Sequence, residues 1–138
     1  MDKSPTTGAG REYRGAMATV DITQADFGQT LEDHEIVFID FWAGWCRPCQ
    51  AFAPVYSAVS EQHPDIVFGK VDTEAEQELA AAAAITSIPT LMAFRDQVLV
   101  YSQPGAVDAG TLAGLVDAVK GLDMDAVRAE IAEGGAAE

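Results

Sequence analysis

An almost uninterrupted apolar run from Ile36 to Trp42 constrains the fold more than any other feature of the sequence. A run that is apolar at nearly every position, rather than at alternate positions, is typical of a strand in a sheet covered on both faces. Its charged residue is Asp40, and the two cysteines of the chain, Cys46 and Cys49, follow shortly after it. The sequence therefore predicts a buried strand that leads into a cysteine-containing turn.

The length and charge of the chain limit the classes of protein to which it can belong. Its 138 residues are enough for one domain that folds around a single core without structural disulfides. Eight Lys and Arg against 22 Asp and Glu give a net charge of -14, which argues against nucleic acid or an anionic membrane as partner. No run approaches the ~20 apolar residues of a membrane span, and we expect a soluble, cytoplasmic monomer.

The two ends of the chain differ in composition from its middle. Residues 1–16 are polar and contain no apolar stretch that resembles a secretory signal. Val127 and Ile131 predict a short helix over 125–132 near the other end. We therefore expect a flexible arm over 1–18, a folded domain over 19–121, and an extension over 122–138 whose tail from Gly134 to Glu138 is disordered.

The middle of the chain alternates between helical and strand patterns. Thr23 and Asp26 form a capping box, and Thr73 with Glu76 forms a second one ahead of an alanine-rich stretch. Right-handed crossovers between such elements make the strands parallel and place helices on both faces of the sheet. The pattern predicts helices over about 24–31, from Cys46 to before Pro64, and from Thr73 to about Ala84, with strands at 36–42 and 66–71.

The last third of the domain has a different pattern. After Pro89, two short apolar segments over 90–94 and 98–101 predict an antiparallel hairpin, although the turn between them, 95–97, lacks a glycine. An amphipathic helix around Leu112, Leu115, Val116 and Val119 then ends at Gly121.

The two cysteines suggest redox chemistry. A thiol attacks a disulfide as its thiolate, and Cys46 is expected at a helix N-terminus, where unpaired N–H groups favour an anion. The cation Arg47 follows it directly. Cys49, one turn further on, is expected to be more buried and less acidic. Cys46 is therefore the candidate nucleophile and Cys49 the candidate resolving thiol.

A Cys-x-x-Cys pair also occurs as half of a zinc or iron–sulfur site. Such a site needs further ligands, and the chain has no second cysteine pair, while His34 and His63 stand far apart in the sequence. We therefore expect no metal and interpret both histidines as surface residues.

A carboxylate in a strand covered on both faces is unusual. Burial disfavours its charged form and raises its pKa, so Asp40 is a candidate to exchange a proton with Cys49 near neutral pH. Lys70, on the next strand, is its candidate charge partner.

These features together resemble the thioredoxin family. The matching stretches run in the family's order and spacing: Phe38 to Cys49, Ala53-Pro54, Lys70 to Asp72, Ile85 to Thr90, and Gly105-Ala106. The resemblance spans about residues 19–121 and implies an α/β thioredoxin fold, with a central mixed sheet flanked by helices on both faces. It also implies Cys46 as nucleophile, Cys49 as resolving thiol, and Asp40 near Lys70 as the proton-transfer carboxyl.

The resemblance further implies a substrate-docking surface. The Ile88–Pro89 bond is expected to be cis, which leaves Ile88 free to pair with an extended substrate strand. We expect the substrate to contact residues around the cysteines and in two later loops, namely Trp45, Arg47, Pro48, Ile88, Pro89, Gly105 and Ala106.

The resemblance implies that the protein reduces disulfides of other proteins and needs no bound cofactor. Its own disulfide would then be reduced again by a flavin-dependent, NADPH-linked thioredoxin reductase. Two departures from the family's usual pattern are Arg47 in place of a glycine between the cysteines, and Pro104 before Gly105. The added cation favours the thiolate and makes the couple more oxidising. Two alternatives therefore stay open: an oxidase- or isomerase-like exchange, and a binding module whose thiols are incidental.

Overall fold

The computed structural model describes residues 18–137. Our predictions for residues 1–17 and for Glu138 lie outside this part of the chain. The described residues form, in chain order, β1 (Thr19–Asp21), α1 (Gln24–Asp33), β2 (Ile36–Trp42), α2 (Arg47–Glu61), β3 (Val67–Asp72), α3 (Gln77–Ala82), β4 (Thr90–Arg95), β5 (Val98–Pro104), α4 (Ala109–Lys120) and α5 (Met124–Ala137).

The strands form one mixed sheet in the order β1-β3-β2-β4-β5. β1 and β2 both pair with β3 in parallel, whereas β4 is antiparallel to β2 and to β5. The predicted mixed sheet and the hairpin of β4 and β5 are confirmed. β2 is the middle strand, as its continuous apolar run predicts.

Helices cover both faces of this sheet. Alternate residues of β2 face opposite ways, so that Phe38 packs in a cluster with side chains of α2 and α4. Val37, Ile39 and Phe41 pack on the other face, in a cluster that includes Leu79 of α3 and the side chain of Phe27 of α1. By the same alternation, Asp40 lies on the face that α2 covers.

The turn between β4 and β5 explains how a hairpin forms here without glycine. Asp96 and Gln97 both adopt positive φ angles, of 53° and 69°. A two-residue turn of this kind matches the twist of the strands, and aspartate tolerates the left-handed conformation better than most residues. The Asp96 N–H donates to the carbonyl of Glu35 at 2.8 Å, which ties the turn to the start of β2.

One predicted helix start is confirmed and another is wrong. The Thr23 N–H donates to Asp26 Oδ1 at 2.8 Å, and α1 begins directly after Thr23. The second capping box does not form, because its side chains have partners elsewhere in the fold. Thr73 Oγ1 donates to the carbonyl of Trp42 at 3.0 Å, while Glu76 Oε1 accepts the N–H of Gln24 at 2.9 Å. The helix therefore starts only at Gln77.

Three further bounds differ from the predictions. β1 was not predicted, since three residues carry too little pattern to distinguish a strand. β5 continues to Pro104, three residues past the predicted end, because it follows β4 as far as Thr90. α5 continues to Ala137, through Gly134 and Gly135, whereas we expected a helix that ended at 132 and a disordered tail.

Candidate functional site

The cysteine turn joins the end of the central strand to the first turn of α2. Cys46 is the N-cap residue of this helix, and the Cys49 N–H donates to Cys46 Sγ at 3.2 Å. The two residues form a disulfide, with their Cα atoms 5.2 Å apart. A helix N-terminus and a backbone N–H directed at Cys46 both favour its thiolate once the disulfide is reduced.

Burial does not distinguish the two cysteines. Both are 3% exposed, so the prediction that Cys49 is more buried than Cys46 is wrong. The reason is that both cysteines belong to one packed cluster with Ala43, against which Trp42 and Ile88 lie. The asymmetry between them comes instead from backbone contacts: Cys46 Sγ accepts the N–H of Cys49 and lies 3.8 Å from the carbonyl oxygen of Ile88.

Asp40 is a buried carboxyl without a hydrogen-bond partner. Its side chain is 1% exposed, and neither carboxyl oxygen has a partner among the described residues. Burial raises its pKa from the ordinary value of 3.8 to about 7, and the charge of Lys70 opposes this rise. Asp40 and Lys70 are paired in the register of β2 and β3. The carboxyl is therefore able to gain or lose a proton near neutral pH.

A buried tyrosine shares this region and was missed by the sequence analysis. Tyr56 of α2 is fully buried, and its hydroxyl donates to the carbonyl of Gly69 at 2.8 Å. Burial and the nearby Asp40 raise its pKa well above the ordinary value. Because this hydroxyl donates to Gly69, it does not satisfy the Asp40 carboxyl.

The predicted docking residues lie around the disulfide. Trp45 is 68% exposed, which is unusual for a tryptophan, and Ile88 is half-buried. The Ile88–Pro89 peptide bond is cis, as the resemblance implies, and Pro89 itself is buried. The Gly105 N–H donates to the carbonyl of Pro89 at 2.7 Å, which attaches the 105–106 loop to this segment. Arg47, Pro48, Gly105 and Ala106 are exposed.

A groove lies beside Trp45, the residue that precedes Cys46, and we refer to it as the Trp45 groove. It has a volume of about 340 Å³ and lies between Trp45 and the segment that leads to Pro89. Trp45, Ala80, Ile85 and Ile88 supply its apolar surface, and Thr73 and Ser87 are among its hydroxyl-bearing residues.

Glu74 lies next to this groove and was also missed by the sequence analysis. Its Oε2 accepts a hydrogen bond from Trp45 Nε1 at 3.2 Å. The two residues are 29 positions apart, and no local pattern connects them, so only the fold brings them together.

Comparison with known proteins places the chain in a family. The family model described as Thioredoxin matches residues 18–118, which is most of the chain and includes both cysteines. The chain belongs to the thioredoxin family. It is 53% identical over 116 residues to the "Putative thioredoxin 2" of Streptomyces coelicolor, a match that covers 84% of this chain and 87% of that one.

Other thioredoxins agree with this assignment. Thioredoxin 1 of Synechococcus elongatus is 42% identical over 70% of this chain and 92% of its own length. Among solved structures, a mutant thioredoxin from Halobacterium salinarum superposes with a TM-score of 0.71 at 31% identity, over 75% of this chain and 92% of that one. The thioredoxin fold predicted from the sequence is thereby confirmed.

The described residues of this thioredoxin-family protein contain neither a helix that could span a membrane nor a cluster of metal ligands. No helix within 18–137 is long and apolar enough to cross a membrane. No group of three or more potential metal ligands (His, Cys, Asp or Glu) is clustered in the same part of the chain.

Proposed function

We propose that this dithiol–disulfide oxidoreductase reduces disulfides of protein substrates, with Cys46 as the attacking thiolate and Cys49 as the resolving thiol. The observation that carries the assignment of roles is the N-cap position of Cys46 together with the hydrogen bond from the Cys49 N–H to its sulfur. Cys49 is the third residue of α2, and it supplies this N–H to the sulfur of Cys46.

The exchange takes place in two balanced steps. The Cys46 thiolate attacks one sulfur of the substrate disulfide, the substrate S–S bond breaks, and the released substrate sulfur leaves with the electron pair and takes up a proton. Cys49 then loses its proton and attacks Cys46 Sγ, which releases the second substrate thiol. The substrate gains two electrons, and the protein is left with the Cys46–Cys49 disulfide seen in the structure.

Asp40 is proposed as the group that accepts the Cys49 proton. It lies on the face of the sheet covered by α2, the helix that carries Cys49. Its raised pKa of about 7 allows it to take up and return a proton near neutral pH. Lys70, its register partner, is proposed to stabilise the charged form of Asp40 and so to keep this proton transfer reversible.

The substrate is proposed to dock on the surface around the disulfide. Exposed Trp45 and half-buried Ile88 provide apolar contact area, and an extended substrate segment pairs with the backbone of Ile88, whose carbonyl lies 3.8 Å from Cys46 Sγ. Pro89, held by Gly105, fixes this segment, and Arg47, Pro48 and Ala106 border it.

The regenerating partner is proposed to be a thioredoxin reductase that takes electrons from NADPH through a flavin. The protein itself is proposed to act as a cytoplasmic monomer and to need no bound cofactor.

A second function, net oxidation or isomerisation of disulfides, is favoured by the exposed cation Arg47 at the start of α2. The redox potential of the couple distinguishes these two directions of exchange.

Single-cysteine variants test the proposed roles, because the chain has only two cysteines. The Cys49→Ser variant should accumulate a mixed disulfide with substrate, detected by mass spectrometry, since any adduct must be on Cys46. The Cys46→Ser variant should give neither turnover nor adduct. An adduct that forms equally fast on Cys46→Ser would contradict the assigned roles of the two thiols, and full turnover by that variant would exclude the mechanism.

A further inference from the structure

The carboxylate of Glu74 is held in place beside the Trp45 groove. Its own N–H donates to Asp72 Oδ1 at 2.9 Å, and its carbonyl accepts Gln77 Nε2 at 3.1 Å. The preceding Thr73 donates both its N–H and its hydroxyl to the carbonyl of Trp42, at 2.8 and 3.0 Å. The loop is therefore attached to the end of β2 that leads into the cysteine turn, and Glu74 is oriented towards Trp45 before any substrate binds.

The charge of this carboxylate is not neutralised by a salt bridge within the described part of the chain. Arg95, Lys120 and Arg128 pair with other carboxylates, and exposed Arg47 forms no salt bridge with Glu74. Lys70 lies over the ring of Trp42, 5.0 Å from its centroid. The Trp45 Nε1–H offers Glu74 one neutral donor only. A negative charge thus remains at the edge of the apolar Trp45 groove.

We propose that Glu74 is a specificity-determining residue, which favours protein substrates that carry Lys or Arg beside the reacting cysteine. This inference rests on the proposed function, since it concerns the substrates of the same site. The occupant of the Trp45 groove is the substrate segment next to that cysteine. The aliphatic stem of Lys or Arg suits the apolar wall formed by Trp45, Ile85 and Ile88, and its charged end reaches the Glu74 carboxylate.

The test uses three synthetic peptides that share one intramolecular disulfide and differ in a single residue next to one cysteine: lysine, glutamine or glutamate. The pre-reduced protein is mixed with each peptide, and the second-order rate constant of reduction is measured. An exposed ion pair contributes about 0.2–1 kcal/mol, so the lysine peptide should react up to about 5-fold faster than the glutamine peptide, and the glutamate peptide more slowly than both. This ratio should approach one at about 1 M salt.

The matched variants are Glu74→Gln and Glu78→Gln. Glutamine at 74 retains an acceptor for Trp45 Nε1 and removes only the charge, whereas Glu78 is an exposed residue of α3 that does not line the groove. The lysine preference should be lost in Glu74→Gln and kept in Glu78→Gln. Equal rates for the three peptides in the unmodified protein, or an equal loss in both variants, would overturn the proposal. Failure of the proposed function has a different signature: no reduction of any peptide, including the neutral one.

Discussion

Asp40→Asn should stabilise the protein, and the stabilisation should depend on pH. The native state holds the Asp40 carboxyl 1% exposed and without a hydrogen-bond partner among the described residues. Burial raises its pKa from 3.8 to about 7, which corresponds to about 4 kcal/mol at ~1.4 kcal/mol per pKa unit. Because asparagine carries no charge at any pH, it avoids this electrostatic cost.

The sign follows from the direction of the pKa change. A group whose pKa is higher in the folded protein contributes stability that is fully present below the unfolded pKa and is lost as the pH rises through the folded pKa. The unmodified protein should therefore lose stability relative to Asp40→Asn between about pH 4 and pH 7, and the difference should be constant above pH 8. Lys70 and Tyr56 are the other titratable groups that interact with Asp40, and both residues are retained in the variant.

The measurement is equilibrium unfolding of the oxidised proteins in guanidinium chloride at several pH values and fixed ionic strength. The free energy of unfolding of Asp40→Asn should exceed that of the unmodified protein by up to about 4 kcal/mol at pH 8.5, and by much less at pH 4. Asp117→Asn, at an exposed position of α4, is the control and should stay within about 0.5 kcal/mol at every pH. A gain that is absent, or equal at pH 4 and pH 8.5, would refute the raised pKa of the buried Asp40 carboxyl.

Three other substitutions have defined outcomes. Arg47→Gly should make the couple more reducing in equilibrium with glutathione, because it removes a cation that favours the thiolate; an equal or higher potential would contradict this. Ala84→Gly should raise the free energy of unfolding by roughly 0.5–1 kcal/mol, because glycine adopts the left-handed conformation at φ 59° without strain, and this gain exceeds the cost of the added chain entropy. The control Ala81→Gly, inside α3, should lower it by about 1 kcal/mol. Changes of the same sign for both variants in urea unfolding would contradict this reasoning. Arg95→Met should lower the free energy of unfolding by roughly 2–4 kcal/mol, because the guanidinium donates to three carbonyls at the end of α4. The control Arg128→Met removes an exposed ion pair and should lower it by less than about 1 kcal/mol. A larger loss in Arg128→Met than in Arg95→Met would show that these carbonyls find other partners.

The parts of the fold that were predictable have strong local patterns. The apolar run of β2 is seven residues long, and continuous burial on both faces follows directly from it. The cysteine turn was located equally well, because the N-cap position of Cys46 depends on the residues beside it. The family motif at Ile88 and Pro89 identified a cis bond that no local pattern indicates.

The parts that were missed depend on contacts between residues distant in sequence. Thr73 and Glu76 have the spacing of a capping box, but Trp42 and Gln24 supply better partners through the fold. The burial of Cys46 follows from the approach of Ile88. Glu74 was missed for the same reason, since its role depends on the position of Trp45. Spacing in the sequence describes what a residue can do locally, and tertiary neighbours determine which of these options it adopts.

The position of β2 in the sheet affects how stable the region around the cysteine turn stays during repeated oxidation and reduction. Six residues of β2 pair with β3 on one side, and six pair with β4 on the other. Amide protons of such a strand exchange with solvent only when the whole domain opens. The cysteine turn is therefore attached to the strand that should open last. Conversion between dithiol and disulfide can take place at this turn while β2 stays paired with both of its neighbouring strands.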